Sequence, residues 1–411
     1  MSLGVYWDGV LVGQLTPGAE HTREYAFEYT DRHRAISLSL PTTQSSFTPA
    51  QTRPFFDALL PEGTIREQIA AQLKLAASDS YSLLAALGRD CAGALQVMDA
   101  KRMSDPAGAR WLDGDGLDTL IAQLPSHPLG IDTGDRRLRL SLAGVQRKAV
   151  VVRDDAGRFG QPLQGLPSTH ILKPDLATSD YPAVAVNEYF CMRLAREVGL
   201  PVASVELTTI AERPCLVVER FDRAHGSDPV RRLHQEDLCQ ALGITPDFKY
   251  QLPDWRLPSY EALGDLLAQH SVRPGADRLA AAEAAVFHFL VGNADAHAKN
   301  ISLLHDAEGV RLAPLYDVVS TEAYPGLSRQ LALGIGDEFD PDAIGEIAWG
   351  DLAFDFGLNV AAFAERRALL VVRVMNAAAA LRDEAHADGW YDEIVDTILS
   401  VIAARAEAAG S

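Results

Sequence analysis

The period of apolar positions changes several times along the chain, and each change marks an element. Two apolar runs in Val5-Tyr-Trp-Asp-Gly-Val-Leu-Val-Gly-Gln-Leu15 flank Asp8-Gly9, a pair suited to a tight turn because glycine accepts positive φ. A β-hairpin is expected there, and Tyr25-Ala-Phe-Glu-Tyr29 continues the strand pattern. The spacing then becomes helical. Phe55-Phe-Asp-Ala-Leu-Leu60 stops at Pro61-Glu-Gly63, residues 64–75 keep the helical period, and Ser80-Tyr-Ser-Leu-Leu-Ala-Ala-Leu87 ends at Gly88, as a helix should. Leu124-Pro-Ser-His-Pro-Leu-Gly-Ile-Asp-Thr-Gly134 has the composition of a linker.

From Arg136 the pattern is β again. Strands are expected over 138–142 and 148–153 around the loop Ala143-Gly-Val-Gln-Arg147, with a turn at Asp154-Asp-Ala-Gly157. His170-Ile-Leu-Lys-Pro174 reads as a short strand stopped by proline. An amphipathic helix over 183–198 closes at Gly199. Strands over 203–210 and 215–222 are joined by a turn at Ala211-Glu-Arg-Pro214. Beyond about residue 230 the pattern predicts helix almost to the end, with Leu303 and residues 312–315 as brief exceptions. These elements imply an α+β chain in three parts: a small α+β segment (1–125), a sheet-rich lobe (126–228) and a mostly helical lobe (229–411). A bilobal arrangement with a ligand cleft is the expected outcome.

Composition narrows the class. At 411 residues the chain is too long for one core, and 47% apolar with 23% charged residues describes a globular protein. A formal charge of −19 repels nucleic acid over most of the surface, so DNA contact by this chain alone is expected to be weak. Cys91, Cys191, Cys215 and Cys239 lack paired metal spacing and read as buried free thiols of a reducing compartment. The opening residues lack the form of a signal peptide, and no apolar run reaches membrane-spanning length, so a cytoplasmic protein with no membrane partner is expected.

Candidate chemistry is concentrated in Val291-Gly-Asn-Ala-Asp-Ala-His-Ala-Lys-Asn300, where polar side chains are spaced by alanines after an apolar helix. Either this is a helix end feeding a surface loop, or it is a reaction centre. Asp295 and Asn300 have the spacing of a protein-kinase catalytic loop, in which the aspartate accepts the proton of an attacking hydroxyl and the asparagine oxygen holds Mg2+. A second metal-binding acid would be Asp317, in Leu312-Ala-Pro-Leu-Tyr-Asp-Val-Val319, read as apolar and strand-like. Lys173 would grip the phosphates of ATP, with Glu188 on the next helix able to pair with it. Ala143, Gly144, Val145, Gln146 and Lys148 would form a phosphate-covering loop, with one glycine where kinases usually carry three. Each residue has a plainer role open to it. Asp317 could cap a turn, Lys173 could snorkel, Glu188 could be solvated, and His288 and His297 could be core histidines or metal ligands.

The wording of these stretches closely resembles the HipA family of toxin kinases. The likeness is carried by Ser141-Leu-Ala-Gly-Val-Gln-Arg-Lys148, Thr169-His-Ile-Leu-Lys-Pro174, Val218-Glu-Arg-Phe-Asp-Arg223, His234-Gln-Glu-Asp-Leu-Cys-Gln240, Asn293-Ala-Asp-Ala-His-Ala-Lys-Asn300 and Leu315-Tyr-Asp-Val318. Phe55-Phe-Asp-Ala-Leu-Leu-Pro-Glu-Gly63 resembles the family's small N-terminal domain. The resemblance implies a protein-kinase-like fold and a non-specific serine/threonine protein kinase using ATP and Mg2+. It implies Asp295 as base, Asn300 and Asp317 as metal ligands, and Lys173 at the phosphates. Glu219 and Phe221 would contact adenine, with Gln235, His297 and Lys299 among the nucleotide contacts. Ser141 matches the family's autophosphorylated serine, while Arg147 stands where the family's best-known member has an acid. Partners implied are a HipB-like helix-turn-helix antitoxin, operator DNA through that antitoxin, and an aminoacyl-tRNA synthetase as substrate, glutamyl-tRNA synthetase being the example. Two other classes stay open: a non-catalytic co-repressor subunit that binds the antitoxin, and a hydrolase with a metal on Asp295, His297 and Asp317.

Overall fold

The computed structural model describes residues 2–18, 24–99, 107–130, 147–176, 181–226, 230–253 and 255–410. They form two compact units that interleave in sequence. The first is Met1–Pro174, Thr209–Arg213 and Val217–Pro246; the second is Asp175–Thr208, Pro214–Leu216 and Asp247–Ser411.

In the first unit, β1 (Leu3–Trp7) and β2 (Val10–Pro17) form the expected hairpin. Asp8 and Gly9 both have positive φ, at 49° and 77°, the pairing whose twist matches the flanking strands. With β3 (Tyr25–Tyr29), β4 (Ser46–Phe47) and β5 (Leu95–Met98) they make a sheet in the order β4-β3-β2-β1-β5. The helices α1 (Pro49–Asp57), α2 (Gly63–Leu73) and α3 (Ser80–Leu87) follow. Their apolar faces and the sheet share a core of Leu15, Phe27, Phe55, Phe56, Leu84 and Val97. The first helix starts earlier than the apolar run suggests, because Pro49 at its first position and a Thr48/Gln51 capping box set its start.

A second sheet uses β6 (Gly108–Trp111), β7 (Ala149–Arg153), β8 (Phe159–Leu163), β9 (His170–Pro174), β10 (Val205–Ile210) and β11 (Arg213–Glu219), in the order β10-β11-β9-β7-β8-β6. The helix α4 (Gly114–Gln123) comes after β6. Ala211 and Glu212 both take left-handed φ and complete the turn in two residues, so Arg213 and Pro214, expected in that turn, belong to β11. Short strands β12 (Arg223–Ala224), β13 (Arg231–Arg232) and β14 (His234–Asp237) lead to α6 (Leu238–Leu242), whose start carries an Asp237/Gln240 capping box.

The second unit contains α5 (Val184–Glu197), α7 (Tyr260–His270), α8 (Pro274–Leu290), the β15 (Ser302–His305)–β16 (Val310–Leu312) hairpin, α9 (Glu346–Asp355), α10 (Val360–Asp388) and α11 (Glu393–Gly410). Serine, proline and asparagine at helix starts (Ser259, Pro274, Asn359) and Gly389 at a left-handed end explain where several of these helices stop and start. Phe287, Phe289, Leu290, Trp349, Leu352, Leu370, Ile398 and Ile402 are buried.

The expectation of near-continuous helix after 230 is corrected by β13 to β16 and by residues 313–345, where no helix forms among the described residues. That stretch is broken by Pro314, Pro325, Gly326, Gly334, Gly336 and Pro341, and its backbone bonds partly within short turns and partly to other segments such as Ser302, Pro201, Gly292 and Ala294. All four cysteines are buried free thiols, as expected; burial pushes Cys91 and Cys191 up to about 12. Among the described residues no helix is long and apolar enough to cross a membrane.

Candidate active site

The Asp295 loop is built by the way α8 ends. Gly292 takes φ +67°, and the N–H groups of Gly292 and Asn293 donate to the carbonyls of Phe289 and His288 at 3.1 and 2.9 Å. This left-handed stop turns the chain sharply out of the buried helix. The next residues are held from the inside. The Asp295 N–H donates to Asn293 Oδ1 at 3.0 Å, so the Asn293 amide nitrogen is the donor toward His288 Nδ1, 3.1 Å away. His288 is therefore a neutral acceptor, and burial pushes it down to about 4. Of the roles left open for His288, the core one holds. Thr321 adds a second brace: its Oγ1 accepts from Ala294 N–H at 2.9 Å and donates to Gly292 O at 3.1 Å.

Asp295 is exposed while its neighbours Ala294, Ala296, His297, Ala298 and Lys299 are buried. Its carbonyl accepts from His297 N–H at 2.8 Å and from the Asn300 amide Nδ2 at 3.1 Å. Its carboxylate accepts a hydrogen bond from the Tyr250 hydroxyl at 2.7 Å. Asn300 closes a single 3-10 turn, Ala298–Asn300, and its N–H donates to His297 O. Because its Nδ2 is committed to Asp295 O, its Oδ1 points elsewhere, as an acceptor.

Asp317 lies outside any strand, which corrects the strand-like reading. It follows β16 in a half-buried loop with φ 58°, a left-handed backbone that non-glycine residues rarely adopt. The loop is tied to the Ala298–Asn300 turn by the preceding residue: the Tyr316 hydroxyl donates to Lys299 O at 2.6 Å and lies 2.7 Å from Ser302 Oγ. An asparagine oxygen and an aspartate carboxylate are hard oxygen donors. They suit Mg2+, which takes one or two protein oxygens and fills its shell with phosphate and water.

In the first unit, Lys173 is buried on β9, where Leu172 pairs with Ala149, and Lys148 is buried just before β7. The Glu219 carboxylate lies 3.3 Å from His225 Nε2, and Phe221 is half-buried beyond the end of β11. Gln235, on β14, has its Nε2 at 3.4 Å from Asp222 and a buried Oε1 that makes no hydrogen bond among the described residues. Arg147 donates through Nη1 to the carbonyls of Leu124 and Pro125 and to Gln68 Oε1. Ser141, Ala143, Gly144, Val145 and Gln146 lie outside the described residues.

Two of the sequence stretches turn out to be largely architectural. In Glu219-Arg-Phe-Asp-Arg223, Arg220 grips Asp222 at 2.7 Å, and Arg223 contacts both Asp222, at 3.1 Å, and Asp90, at 3.0 Å, all buried. Gly93 N–H also donates to Asp222 at 2.7 Å. Burial alone would raise Asp222, but Arg220 and Arg223 outweigh it and hold the carboxyl well below the usual range. Arg223 is lowered to about 10 by burial and by the neighbouring Arg220. In His234-Gln-Glu-Asp-Leu-Cys-Gln240, His234 Nε2 donates to Ile36 O at 2.8 Å, and Glu236 accepts from Ser37 Oγ and from Leu38 N–H. Both stretches bind the N-terminal segment. Sequence reasoning gave no role to Tyr250, Tyr316 or Thr321. Asn293 was visible only as part of the polar run; Tyr250, Tyr316 and Thr321 act through contacts 45, 17 and 27 residues away.

A family model for the HipA N-terminal domain matches residues 3–98, and one for the HipA-like C-terminal domain matches residues 140–397. The Y4mE protein of Sinorhizobium fredii is 40% identical over 369 residues, 87% of this chain and 86% of that one. The serine/threonine-protein kinase toxin HipA of Shewanella oneidensis is 31% identical over 374 residues, covering 88% and 84%. A solved structure of the Shewanella oneidensis MR-1 toxin–antitoxin system, HipA with HipB and its operator DNA, superposes with a TM-score of 0.81 at 28% identity, covering 98% of this chain and 96% of that one. With both domain models matched in order and a relative of this identity spanning most of the sequence, the chain belongs to the HipA family.

Proposed function

We propose that this chain is an ATP- and Mg2+-dependent serine/threonine protein kinase and the toxin of a toxin–antitoxin pair. The observation that carries the reading is the Asp295 loop. An exposed carboxylate is held at its backbone by Asn293 and Asn300, and Tyr316 ties the loop that carries Asp317 to the same turn, so an asparagine oxygen and a carboxylate suited to a divalent cation come from two bonded segments. Asp295 takes the proton of the acceptor hydroxyl. Asn300 and Asp317 hold Mg2+, which would neutralise charge on the transferring phosphates. Lys173 and Lys148 bind phosphates, with backbone of Ala143, Gly144, Val145 and Gln146 and with Lys299 and His297 as further contacts. Glu219 and Phe221 hold adenine, and the open Oε1 of Gln235 suits its amino group.

Membership of the HipA family supports the finer assignments. Ser141 is the proposed site of autophosphorylation; a phosphate there adds about two negative charges beside a loop that must attract ATP, which would switch the kinase off. A HipB-like helix-turn-helix antitoxin is the proposed partner, supported by the Shewanella complex. With a chain charge of −19, operator DNA is reached through that antitoxin. The proposed substrate is an aminoacyl-tRNA synthetase, with glutamyl-tRNA synthetase the first to test. Asp295→Asn should abolish transfer from ATP, and growth arrest on expression, without changing the melting temperature. Full activity in that variant would overturn the assignment.

A further inference from the structure

A catalytic base works only while one carboxylate oxygen faces the acceptor hydroxyl, and a carboxylate free to rotate is misaligned for much of the time. Packing does not fix the Asp295 carboxylate, because the residue is exposed. What fixes it is one hydrogen bond, from the Tyr250 hydroxyl to Oδ1 at 2.7 Å. Oδ2 has no hydrogen-bond partner among the described residues.

Tyr250 is itself held in place. Its ring meets the His297 imidazole edge-on, with centroids 5.2 Å apart and planes at 85°, and the Lys249 ammonium lies 5.5 Å from its centroid. The backbone on either side is tied to the segments flanking Asp295. Ala298 N–H donates to Lys249 O at 3.0 Å; Gln251 N–H donates to Ala332 O, and Ala332 N–H to Ala294 O, both at 2.9 Å. Gln251 Oε1 also accepts from Gly334 N–H at 2.9 Å. Yet Tyr250 is 42% exposed, so it is not retained to fill a core, and its hydroxyl is spent on the carboxylate although water is within reach.

We infer that Tyr250 is a positioning residue for the phosphoryl transfer: it holds Oδ1 of Asp295 so that Oδ2 faces the acceptor hydroxyl. The inference rests on the kinase reading. In the transfer the acceptor O–H bond breaks as its proton passes to Oδ2, and the acceptor oxygen bonds to the γ-phosphorus. The bond from that phosphorus to the β–γ bridging oxygen breaks, and ADP leaves with that electron pair. Tyr250 keeps its proton throughout and makes no bond to phosphorus.

The test is Tyr250→Phe, which deletes the donor and keeps the ring. Transfer from γ-labelled ATP is followed to the purified chain itself and to purified glutamyl-tRNA synthetase, alongside the wild type and Asp295→Asn. A hydrogen bond to a charged group is worth enough that the rate at saturating ATP should fall roughly tenfold. The half-saturating ATP concentration should stay within about twofold, and the melting temperature should not move. Wild-type turnover in Tyr250→Phe, with Asp295→Asn inactive, would overturn the positioning role and leave the kinase reading standing. So would a loss explained by weaker ATP binding or by a lower melting temperature. An inactive wild type, or an active Asp295→Asn, would overturn the kinase reading first.

Discussion

His288 does its work by staying neutral. It accepts the Asn293 amide, Asn293 accepts the Asp295 N–H, and the Asp295 loop is thereby hung on a buried imidazole. Burial pushes the folded-state value down to about 4, against 6.5 for the free group. Between these values the unfolded chain binds more protons than the folded one, so the contribution is fully present above pH 6.5 and is lost as pH falls toward 4. The loss should approach about 3 kcal/mol. Urea unfolding from pH 7 to pH 4 should show His288→Gln, which keeps an acceptor and cannot titrate, losing less stability than the wild type. Parallel losses would remove His288 from the account. Asp355 has the opposite sign: burial, then the carboxylates of Glu261, Asp337, Asp351 and Asp265, raise it to about 6. Its charged form is penalised above pH 6, so Asp355→Asn should stabilise the protein at pH 7 by about 1 kcal/mol, discounted for its partial exposure, and by nothing near pH 4.

The elements most legible in the sequence are those whose causes are local. Asp8-Gly9 set the first hairpin, Ser80 to Gly88 bounded α3, and Pro174 ended β9, each where the sequence placed it. The Asp295 loop was legible for the same reason, with its polar groups inside one short stretch. Tyr250 and Thr321 were not, because they reach Asp295 and Ala294 from 45 and 27 residues away with no periodic signal. Residues 313–345 were misread for a related reason. Their apolar residues are buried as those of a helix would be, but proline and glycine forbid the helix, and the stretch is fixed by bonds such as Ala332 N–H to Ala294 O. One glycine joins these two kinds of information. A Cβ on Gly292 would stand 2.6 Å from Val401 Cγ1 and 2.9 Å from Glu322 Cβ, at a φ that disfavours any side chain. Gly292→Ala should cost about 1–3 kcal/mol in urea unfolding. It should also slow phosphoryl transfer at temperatures where the protein stays folded, because the end of α8 aims Asp295. A variant as stable and as active as the wild type would show that the helix end is not what sets the loop.

For the molecule as a whole, two stretches that mark the family also fasten the first unit together. Asp90, Arg220, Asp222, Arg223 and Arg232 are charged groups within one buried cluster, joined also by Ser168, Cys91 O and Gly93. Charges are costly to bury, and such a cluster persists only while every member is answered. Burial opposes ionisation of Asp90, but Arg223, Arg232 and Arg220 together hold it charged. Removing Arg223 strips a partner from both Asp90 and Asp222, so Arg223→Ala should destabilise by about 3–5 kcal/mol. The mechanism makes a second demand. If the cost is mainly that of stranded carboxylates, Arg223→Ala combined with Asp90→Asn should be less destabilised than the sum of the two single variants. Urea unfolding of the four proteins in this cycle measures the coupling. Simple additivity would mean that Arg223 acts through the packing of its stem and its bonds to Ser168 O and Gly93 O, and the charge account would fall.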